Sequence, residues 1–408
     1  MYKTSTDIFL VPLRASIKCI MFIGVTCSCS FFSAAQNWTQ LDDFPAAERD
    51  DATTFTIGDY AYCGTGLAVG WTTVGDFQRF HLISESWESI ASLPLGEERQ
   101  YASGFSGNGK GYVFGGYNGT DFLNDIWEYN PLSDSWTELT AIPSTGRSGT
   151  TSFVLGDTAY IVGGKNATED ALDEVWAYSI SGDTWVQKNS LNFGKRWRAS
   201  ATIQNATGYV GFGRDEWGDH HNDMYAYNPA DDNWTAQTPF PLSGRSYVAL
   251  VSHSTDIYFL FGFNGVTNLY ADVWRYDPVG NTWTYVNDLP SDARRGGLCF
   301  NGTNGIYYTT GITATGDRLN ETWRFSPSAS LMDKHQNPLT ISPNPASTII
   351  EINSDVEIQK MYLRNSIGQI VAEYGNEKYL DISEIPTGVY LLEIVTPHQI
   401  VIERIVVL

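Results

Sequence analysis

A tryptophan recurs at a fixed interval along this 408-residue chain. Successive members of the series lie 49 residues apart, at Trp38, Trp87, Trp136, Trp185, Trp234 and Trp283. The same interval separates the members of a glycine series and of an aromatic series, which are Gly66, Gly115, Gly164, Gly213, Gly262 and Gly311, and Phe80, Tyr129, Tyr178, Tyr227, Tyr276 and Phe325. Self-similarity at such a period indicates an array of small structural units that bury their apolar faces against one another.

Each repeat predicts four short antiparallel strands. In the third repeat a turn at Gly156-Asp157 precedes an apolar run that ends at Gly163-Gly164. In the fifth repeat the segment 272–276 reads Asp-Val-Trp-Arg-Tyr, as expected for a strand, and a tight turn leads from it to Trp283. Because no segment shows a convincing period of 3.6 residues, we expect an all-β array.

The order of these signals resembles the kelch repeat. The resembling residues are Gly-Gly, then Asp-Val-Trp-x-Tyr, then Thr-Trp, then Leu-Pro followed by Arg, and they cover about residues 37 to 327. The resemblance implies that each repeat builds one blade of a β-propeller. The array begins with a Trp38 strand that has no repeat of its own, and the sixth repeat lacks a following Trp. We therefore predict a six-bladed kelch-type β-propeller at 36–327, closed by its N-terminal strand.

The first 35 residues have the features of an export signal. Positively charged residues precede an apolar stretch, and small residues at 33–35 fit a signal-peptidase site. We predict a signal peptide at 1–35, whose removal leaves only Cys63 and Cys299. A disulfide between these two cysteines and two buried free thiols both remain open at this stage.

The composition changes at Leu339, where tryptophan disappears and Ile and Val dominate. The segments 341–345, 361–371, 386–394 and 403–408 resemble the C-terminal sorting domain of the type IX secretion system. The resemblance implies a small β-sandwich at 339–408, preceded by a linker at 328–338. It also implies that the secretion machinery recognises this domain and that the protein is secreted or attached to the outer cell surface.

The charge balance excludes one class of partner. The chain has 46 acidic and 25 basic side chains, a net charge of −21 and a pI near 4.5. Such a surface repels nucleic-acid phosphates. No segment after the signal is long and apolar enough to span a bilayer. We expect a monomer with neither a metal nor a cofactor.

Three of the 13 tryptophans lie outside the repeating positions. Trp71, Trp197 and Trp217 fall in loops that a kelch propeller places on one face. One interpretation is a platform on which a sugar ring or another flat ligand stacks. The alternative is that each tryptophan packs against a neighbouring loop.

An arginine series offers a second candidate site. Its members are Arg49, Arg99, Arg147, Arg196, Arg245 and Arg294. A ring of arginines at the channel mouth, with Arg214 beside it, would bind a carboxylate or sulfate. The alternative is that each arginine pairs with a local acid such as Asp50, Glu98 or Asp292 and holds the blades together.

The loop of the fourth repeat, 213–223, departs most from the pattern. Asp215, Glu216 and His220 are the groups there that could transfer protons. His220 and His221 are adjacent, so their side chains point apart and do not suit a metal. The favoured hypothesis is a module that binds a glycan or a protein on its loop face. The alternative is a carbohydrate-active enzyme on an acidic sugar, which the likeness to kelch-type sialate mutarotases would imply.

Overall fold

A computed structural model describes residues 37–265, 268–327, 339–343, 346–354, 357–365, 369–396 and 400–408. The described residues contain strands, turns and loops but no helix. Accordingly, none of them belongs to a helix that could cross a bilayer. The predicted signal peptide at 1–35 and the predicted linker at 328–338 lie outside these residues, and their predictions stand as made.

The first half of the repeat array contains sixteen strands. They are β1 (Trp38–Leu41), β2 (Arg49–Asp50), β3 (Thr53–Ile57), β4 (Tyr60–Gly64), β5 (Leu67–Ala68), β6 (Thr72–Thr73), β7 (Phe77–His81), β8 (Ser86–Ile90), β9 (Ser103–Gly107), β10 (Lys110–Tyr117), β11 (Phe122–Asn130), β12 (Ser135–Glu138), β13 (Thr151–Leu155), β14 (Thr158–Val162), β15 (Val175–Ser179) and β16 (Thr184–Gln187).

The second half continues the same order. Its strands are β17 (Ser200–Gln204), β18 (Thr207–Gly211), β19 (Met224–Asn228), β20 (Asn233–Ala236), β21 (Ala249–His253), β22 (Asp256–Leu260), β23 (Asp272–Asp277), β24 (Thr282–Asp288), β25 (Arg294–Arg295), β26 (Leu298–Gly302), β27 (Gly305–Thr309), β28 (Ile312–Thr313) and β29 (Thr322–Phe325).

These strands build six four-stranded antiparallel sheets, which we number as blades. Blade 1 is β3-β4-β7-β8, blades 2 to 5 are the successive quartets β9–β12, β13–β16, β17–β20 and β21–β24, and blade 6 is β26-β27-β29-β1. The first strand of each blade contacts the first strand of the next, and β26 returns to β3. The predicted all-β propeller is therefore confirmed.

The N-terminal strand closes the ring as expected. Strand β1 pairs with β29 across the full register from Trp38 opposite Phe325 to Leu41 opposite Thr322. Trp38 is buried, and its ring lies 5.0 Å from the ring of Phe325. The strand that begins the array thus supplies the outer strand of blade 6.

The repeating aromatic residues form the seams between blades. In every blade the outer-strand tryptophan packs on the repeating Tyr or Phe, with ring centroids 4.6–5.0 Å apart. Four of these tryptophans donate their indole N–H to a backbone carbonyl 45 residues earlier, in the segment that precedes their own blade. Bulky rings fill the wedge between twisted sheets, which widens with distance from the axis.

The first strands of all six blades surround an axial channel. Two cavities of about 280 and 290 Å³ lie along it, and Thr54, Gly104, Ser152 and Cys299 line both. Hydroxyl groups form hydrogen bonds between neighbouring inner strands. For example, Ser103 Oγ donates to the carbonyl of Thr150 at 2.8 Å. Small and hydroxyl-bearing residues line one part of the channel, whereas aromatic side chains such as Phe105 and Phe153 line the other.

The C-terminal region is a β-sandwich. Its strands are β30 (Leu339–Ser342), β31 (Ile349–Ser354), β32 (Lys360–Arg364), β33 (Ile370–Tyr374), β34 (Tyr379–Asp381), β35 (Gly388–Val395) and β36 (Ile400–Val407). They form the sheets β30-β31-β34 and β33-β32-β35-β36. Ile350, Ile352, Leu363, Leu392 and Ile394 lie in one buried cluster that both sheets cover.

We expect Trp38→Ala to weaken the ring closure. The substitution removes a buried indole from the seam between blades 5 and 6, which should cost about 3–5 kcal/mol of the free energy of unfolding. Guanidinium denaturation of the full chain measures this cost. Gln40→Ala, at an exposed position of the same strand, is the matched control. Equal unfolding midpoints for the two variants would contradict a closing role for Trp38.

Candidate functional site

The repeating arginines are buried ion pairs, not a free positive ring. Arg49, Arg99, Arg147, Arg196, Arg245 and Arg294 are each 0–2% exposed. Each pairs at 2.5–2.9 Å with an acid of its own blade, in the order Asp76, Asp125, Glu174, Asp223, Asp272 and Glu321. The expectation that these arginines present a binding ring is therefore corrected, because their N–H donors point into the protein.

The acids differ from the local ones that the sequence suggested. Asp50, Glu98 and Asp292 are neighbours of the arginines in sequence, whereas the partners that recur in every blade lie 26 or 27 residues further on, at or just before the third strand. Arg99 also pairs with a local acid, Glu97, at 2.7 Å. In four blades the same carboxylate also accepts the N–H of the third-strand tryptophan, as in Trp176 to Glu174 at 2.7 Å. The pair thus joins the loop that enters a blade to the blade's third strand.

The backbone of the same arginines bonds the preceding blade. The amide of Gly66 donates to the carbonyl of Arg99, and Gly164 donates to Arg196 in the same way. In blade 2 the equivalent donor is Gly116, not the Gly115 that the 49-residue count selected. One extra residue before Arg99 places both Arg99 and Gly116 one position later than the 49-residue interval gives.

The residue two positions after each arginine lies at the channel mouth. These residues are Asp51, Tyr101, Gly149, Arg198, Tyr247 and Gly296, and all six have φ between 57° and 69°. Backbone bonds link them from blade to blade, as in Tyr101 N to Asp51 O and Gly149 N to Tyr101 O. A left-handed conformation in non-glycine residues costs free energy and concentrates at functional sites.

Arg198 lies across this mouth. Its guanidinium carbon is 3.7 Å from the centre of the Tyr101 ring and 4.2 Å from that of Tyr247. It also donates to Asp51, which is itself buried. Burial and the negative charge of Asp51 raise the pKa of Tyr101 well above its usual range. The ends of blades 1, 2, 4 and 5 therefore meet in one polar cluster.

A second acid stands beside this cluster. Asp50 accepts a hydrogen bond from Arg318 Nε at 2.6 Å, and both side chains are almost fully buried. Burial and the neighbouring charge of Asp51 raise the pKa of Asp50 to about 7, against the opposing effect of Arg318. This ion pair joins blade 1 to blade 6.

The three tryptophans outside the repeat differ in exposure. Trp71 is 77% exposed and Trp217 is 83% exposed, whereas Trp197 is only 7% exposed. Trp71 lies over the Arg318 guanidinium at 5.0 Å. Trp197 bridges in antiparallel fashion to Arg214 and packs edge-on against Tyr101 and Tyr247. Two of the three are therefore available for stacking, while the ring of Trp197 is part of the mouth.

The loop of blade 4 organises around Asp215. This side chain accepts backbone amides from Trp217 and Asp219 and lies 3.0 Å from His221 Nε2. Burial opposes its ionisation, but the bond to His221 and the backbone bonds outweigh burial and lower the pKa of Asp215. The imidazole that contacts Asp215 is that of His221, whereas the histidine named from sequence as a proton-transfer candidate was His220. Glu216 is partly buried and lies beside these groups in sequence.

His220 has different surroundings. Its Nε2 is 3.0 Å from Ser246 Oγ, and its ring lies edge-on to Phe263. Burial and the nearby charge of Arg214 lower the pKa of the imidazole.

Among the described residues no group of three or more His, Cys, Asp or Glu side chains could hold a metal ion. Cys63 and Cys299 are free thiols, so the disulfide alternative is not realised.

Sequence reasoning missed the residues that build the mouth. Tyr101, Arg198 and Tyr247 follow the repeating arginines by two positions, and Arg295 follows Arg294 by one. In the sequence these residues could be recognised only because the residue type changes from repeat to repeat at a fixed distance after the arginine. Lys165 and Arg214 occupy equivalent bridging positions after the repeating glycine, yet only Arg214 was a candidate.

Four-stranded blades surround a channel, and each repeat contains one buried arginine–carboxylate pair. These features define a kelch-type β-propeller. Family models agree: a kelch motif matches residues 98–141, and a KLHDC2/KLHL20/DRC7 Kelch-repeats domain matches 143–295. A secretion system C-terminal sorting domain matches 340–408. The chain therefore contains kelch repeats and a type IX sorting domain, and the protein is secreted or attached to the outer cell surface.

A solved structure shows the same propeller architecture. It is described as "Structure of YjhT", and its identity to this chain is 18% with a TM-score of 0.59. The match covers 69% of this chain and 96% of the other. At this identity the likeness concerns the fold alone. No curated protein matches the sequence.

We expect Glu174→Gln to reveal the pH dependence of the arginine–carboxylate pairs. Burial opposes ionisation of Glu174, but bonds from Trp176 and Arg147 outweigh burial and lower its pKa from the usual 4.5. The pair therefore stabilises the fold above pH 4.5, and this contribution is lost as the pH falls through the lowered pKa. The variant should lose about 3 kcal/mol at pH 7, because Arg147 stays buried without its partner.

Urea denaturation from pH 7 to pH 3 measures the difference between this variant and the wild type. The difference should shrink as the pH falls below 4.5. Glu138→Gln removes the same charge from an exposed site and should change little at any pH. A difference that stays constant with pH would contradict the contribution assigned to Glu174.

Proposed function

We propose that this exported propeller is a binding module that holds a glycan on the loop face around the channel mouth. The observation that carries the proposal is the pair of exposed indoles at Trp71 and Trp217. A flat ligand that stacks on an exposed indole displaces water from an apolar ring face, and the rigid ring covers much area at small entropic cost. Sugar rings present the flat C–H faces that such a surface accepts.

The placement of the two indoles supports a ligand larger than one sugar. Trp71 belongs to the β5–β6 turn of blade 1, and Trp217 belongs to the long loop of blade 4. In a ring of six blades these two stand on opposite sides of the mouth. A ligand that touches both must cross the mouth, which favours an oligosaccharide over a monosaccharide.

The loops are shaped in advance for this role. Trp71 has φ of 64°, and its amide donates to the carbonyl of Ala68. The amide of Trp217 donates to Asp215. Fixed backbones reduce the ordering cost of binding. A protein ligand is the other class that fits an aromatic face, and a glycan array run beside a secreted-protein array separates the two.

We expect the double variant Trp71→Ala, Trp217→Ala to lose glycan binding. Each indole should contribute about tenfold in Kd, which corresponds to about 1.4 kcal/mol. Isothermal calorimetry of the full chain with array-positive oligosaccharides measures the loss. Leu132→Ala, which removes a 96% exposed side chain at the distant β11–β12 turn, should bind as the wild type does. Unchanged binding by the double variant would refute the platform.

A second candidate function is acid–base catalysis on an acidic sugar. The observation that favours it is the 3.0 Å contact between Asp215 and His221, because a carboxylate that orients an imidazole is a common arrangement for a general base. Glu216 would be the second proton-transfer group.

Product formation from sugar acids, followed by NMR, tests this candidate. Turnover should fall at least hundredfold in His221→Ala and in Glu216→Ala. The variant Asn228→Ala, at an exposed turn of the same blade, should retain the wild-type rate. Equal rates in all four proteins, or no turnover by the wild type, would remove the catalytic candidate and leave the binding module.

A further inference from the structure

Three cations of the propeller have no acidic partner in the described residues. Seventeen Lys and Arg residues lie between residues 37 and 327. Fourteen of them form an ion pair with an Asp or Glu. The other three are Lys165, Arg214 and Arg295. In a chain with 46 acidic and 25 basic side chains, an unpaired cation needs an explanation.

All three unpaired cations lie at the mouth, around two aromatic rings. Lys165 Nζ is 4.9 Å from the centre of the Trp197 ring, and the Arg214 guanidinium carbon is 5.1 Å from it. The Arg295 guanidinium carbon is 4.5 Å from the Tyr247 ring, and Arg198 contacts both rings. Lys165, Arg214 and Arg295 therefore share one electropositive surface, which we call the cationic mouth.

The charges in the cationic mouth influence one another. Burial lowers the pKa of Lys165; the negative charge of Asp170 opposes this shift, and the positive charges of Arg214 and Arg198 add to it. Bringing like charges together is unfavourable unless an anion joins them. The buried carboxylate of Asp51 is bonded to the neighbouring Arg198.

The cationic mouth also contains unused hydrogen-bond donors. Arg214 Nε, Trp197 Nε1 and Ser148 Oγ are buried and have no hydrogen-bond partner among the described residues. Ser148 pairs through its backbone with Lys165, and Trp197 pairs with Arg214 in the same way. A buried donor without an acceptor costs about 1–3 kcal/mol, and an anionic ligand in this region would bring acceptor oxygens close to these three groups.

Packing against aromatic rings does not account for this group by itself. Arg198 makes closer ring contacts than its neighbours do and still has a carboxylate. Contact with a ring face leaves the in-plane N–H groups of a guanidinium free, and those groups are the ones that bind oxyanions in pairs.

We propose that Lys165, Arg214 and Arg295 bind the carboxylate or sulfate group of an acidic glycan at the channel mouth. The inference rests on the proposed glycan-binding function and specifies its ligand class. The anionic group would lie among the three cations while neighbouring sugar rings lie on the exposed indoles.

Two pairs of polysaccharides that differ only in charge test the proposal. De-esterified pectin and methyl-esterified pectin share a backbone and differ in their carboxylates, and dextran sulfate and dextran differ in their sulfates. Affinity electrophoresis of the full chain should show at least tenfold tighter binding to the charged member of one pair. The pair that responds distinguishes carboxylate from sulfate.

The double variant Arg214→Gln, Arg295→Gln should lose that preference, with a drop of at least tenfold for the charged polymer. Lys195→Gln removes one charge from a residue paired with Glu169 outside the cationic mouth and should stay within twofold of the wild type. Circular dichroism establishes that each variant is folded. Equal affinity for both members of both pairs, including no binding to either, overturns the proposal, as does a double variant that keeps the preference.

The test separates this proposal from the one on which it rests. If neutral glycans bind and the Trp71 and Trp217 variants abolish that binding, the glycan module stands and the acidic ligand class fails. If no glycan on the array binds in a Trp-dependent manner, the module itself fails.

Discussion

The buried arginine–carboxylate pair is the interaction on which the propeller depends. Each arginine bonds an acid at or just before the third strand of its own blade, and in five of the six repeats its carbonyl accepts an amide from the preceding blade. An unpaired charge at that depth costs about 3–5 kcal/mol, so the pair strongly favours one position for the loop that enters each blade. The indole–tyrosine seams at the rim then need only fill space around an already fixed centre.

This fixed centre explains why the mouth can vary. The residues one and two positions after each arginine inherit a constant backbone, including the left-handed φ at the second position. Side chains there change from aspartate to tyrosine, glycine or arginine without changing the blade. A scaffold that fixes main-chain geometry so strictly leaves six positions around one opening free for recognition.

Much of the fold was predictable because the same pattern of tryptophan, glycine, aromatic and arginine positions recurs in the repeats. The strands, the propeller and the closure by the Trp38 strand all follow from spacing. The 49-residue interval selected Gly115, whereas the glycine that bonds the next blade is Gly116. A fixed interval does not detect one extra residue within a repeat, and the hydrogen bonds do. Partners in space were harder: Arg147 bonds Glu174, and no neighbour in sequence points to it. Trp197 was grouped by sequence with the exposed Trp71 and Trp217, but it follows a repeating arginine by one position, where Gln100, Ser148 and Ser246 are also buried.

The N-terminal strand has a consequence for how the molecule comes into being. Its partner β29 lies 281 or more residues away along the chain, between Leu41 and Thr322. Blades 1 to 5 can form from local hairpins in order of synthesis, whereas blade 6 stays incomplete until its last strand is available. The first strand of the propeller is therefore the last of its strands to pair, and until that moment the ring exposes one unpaired sheet edge.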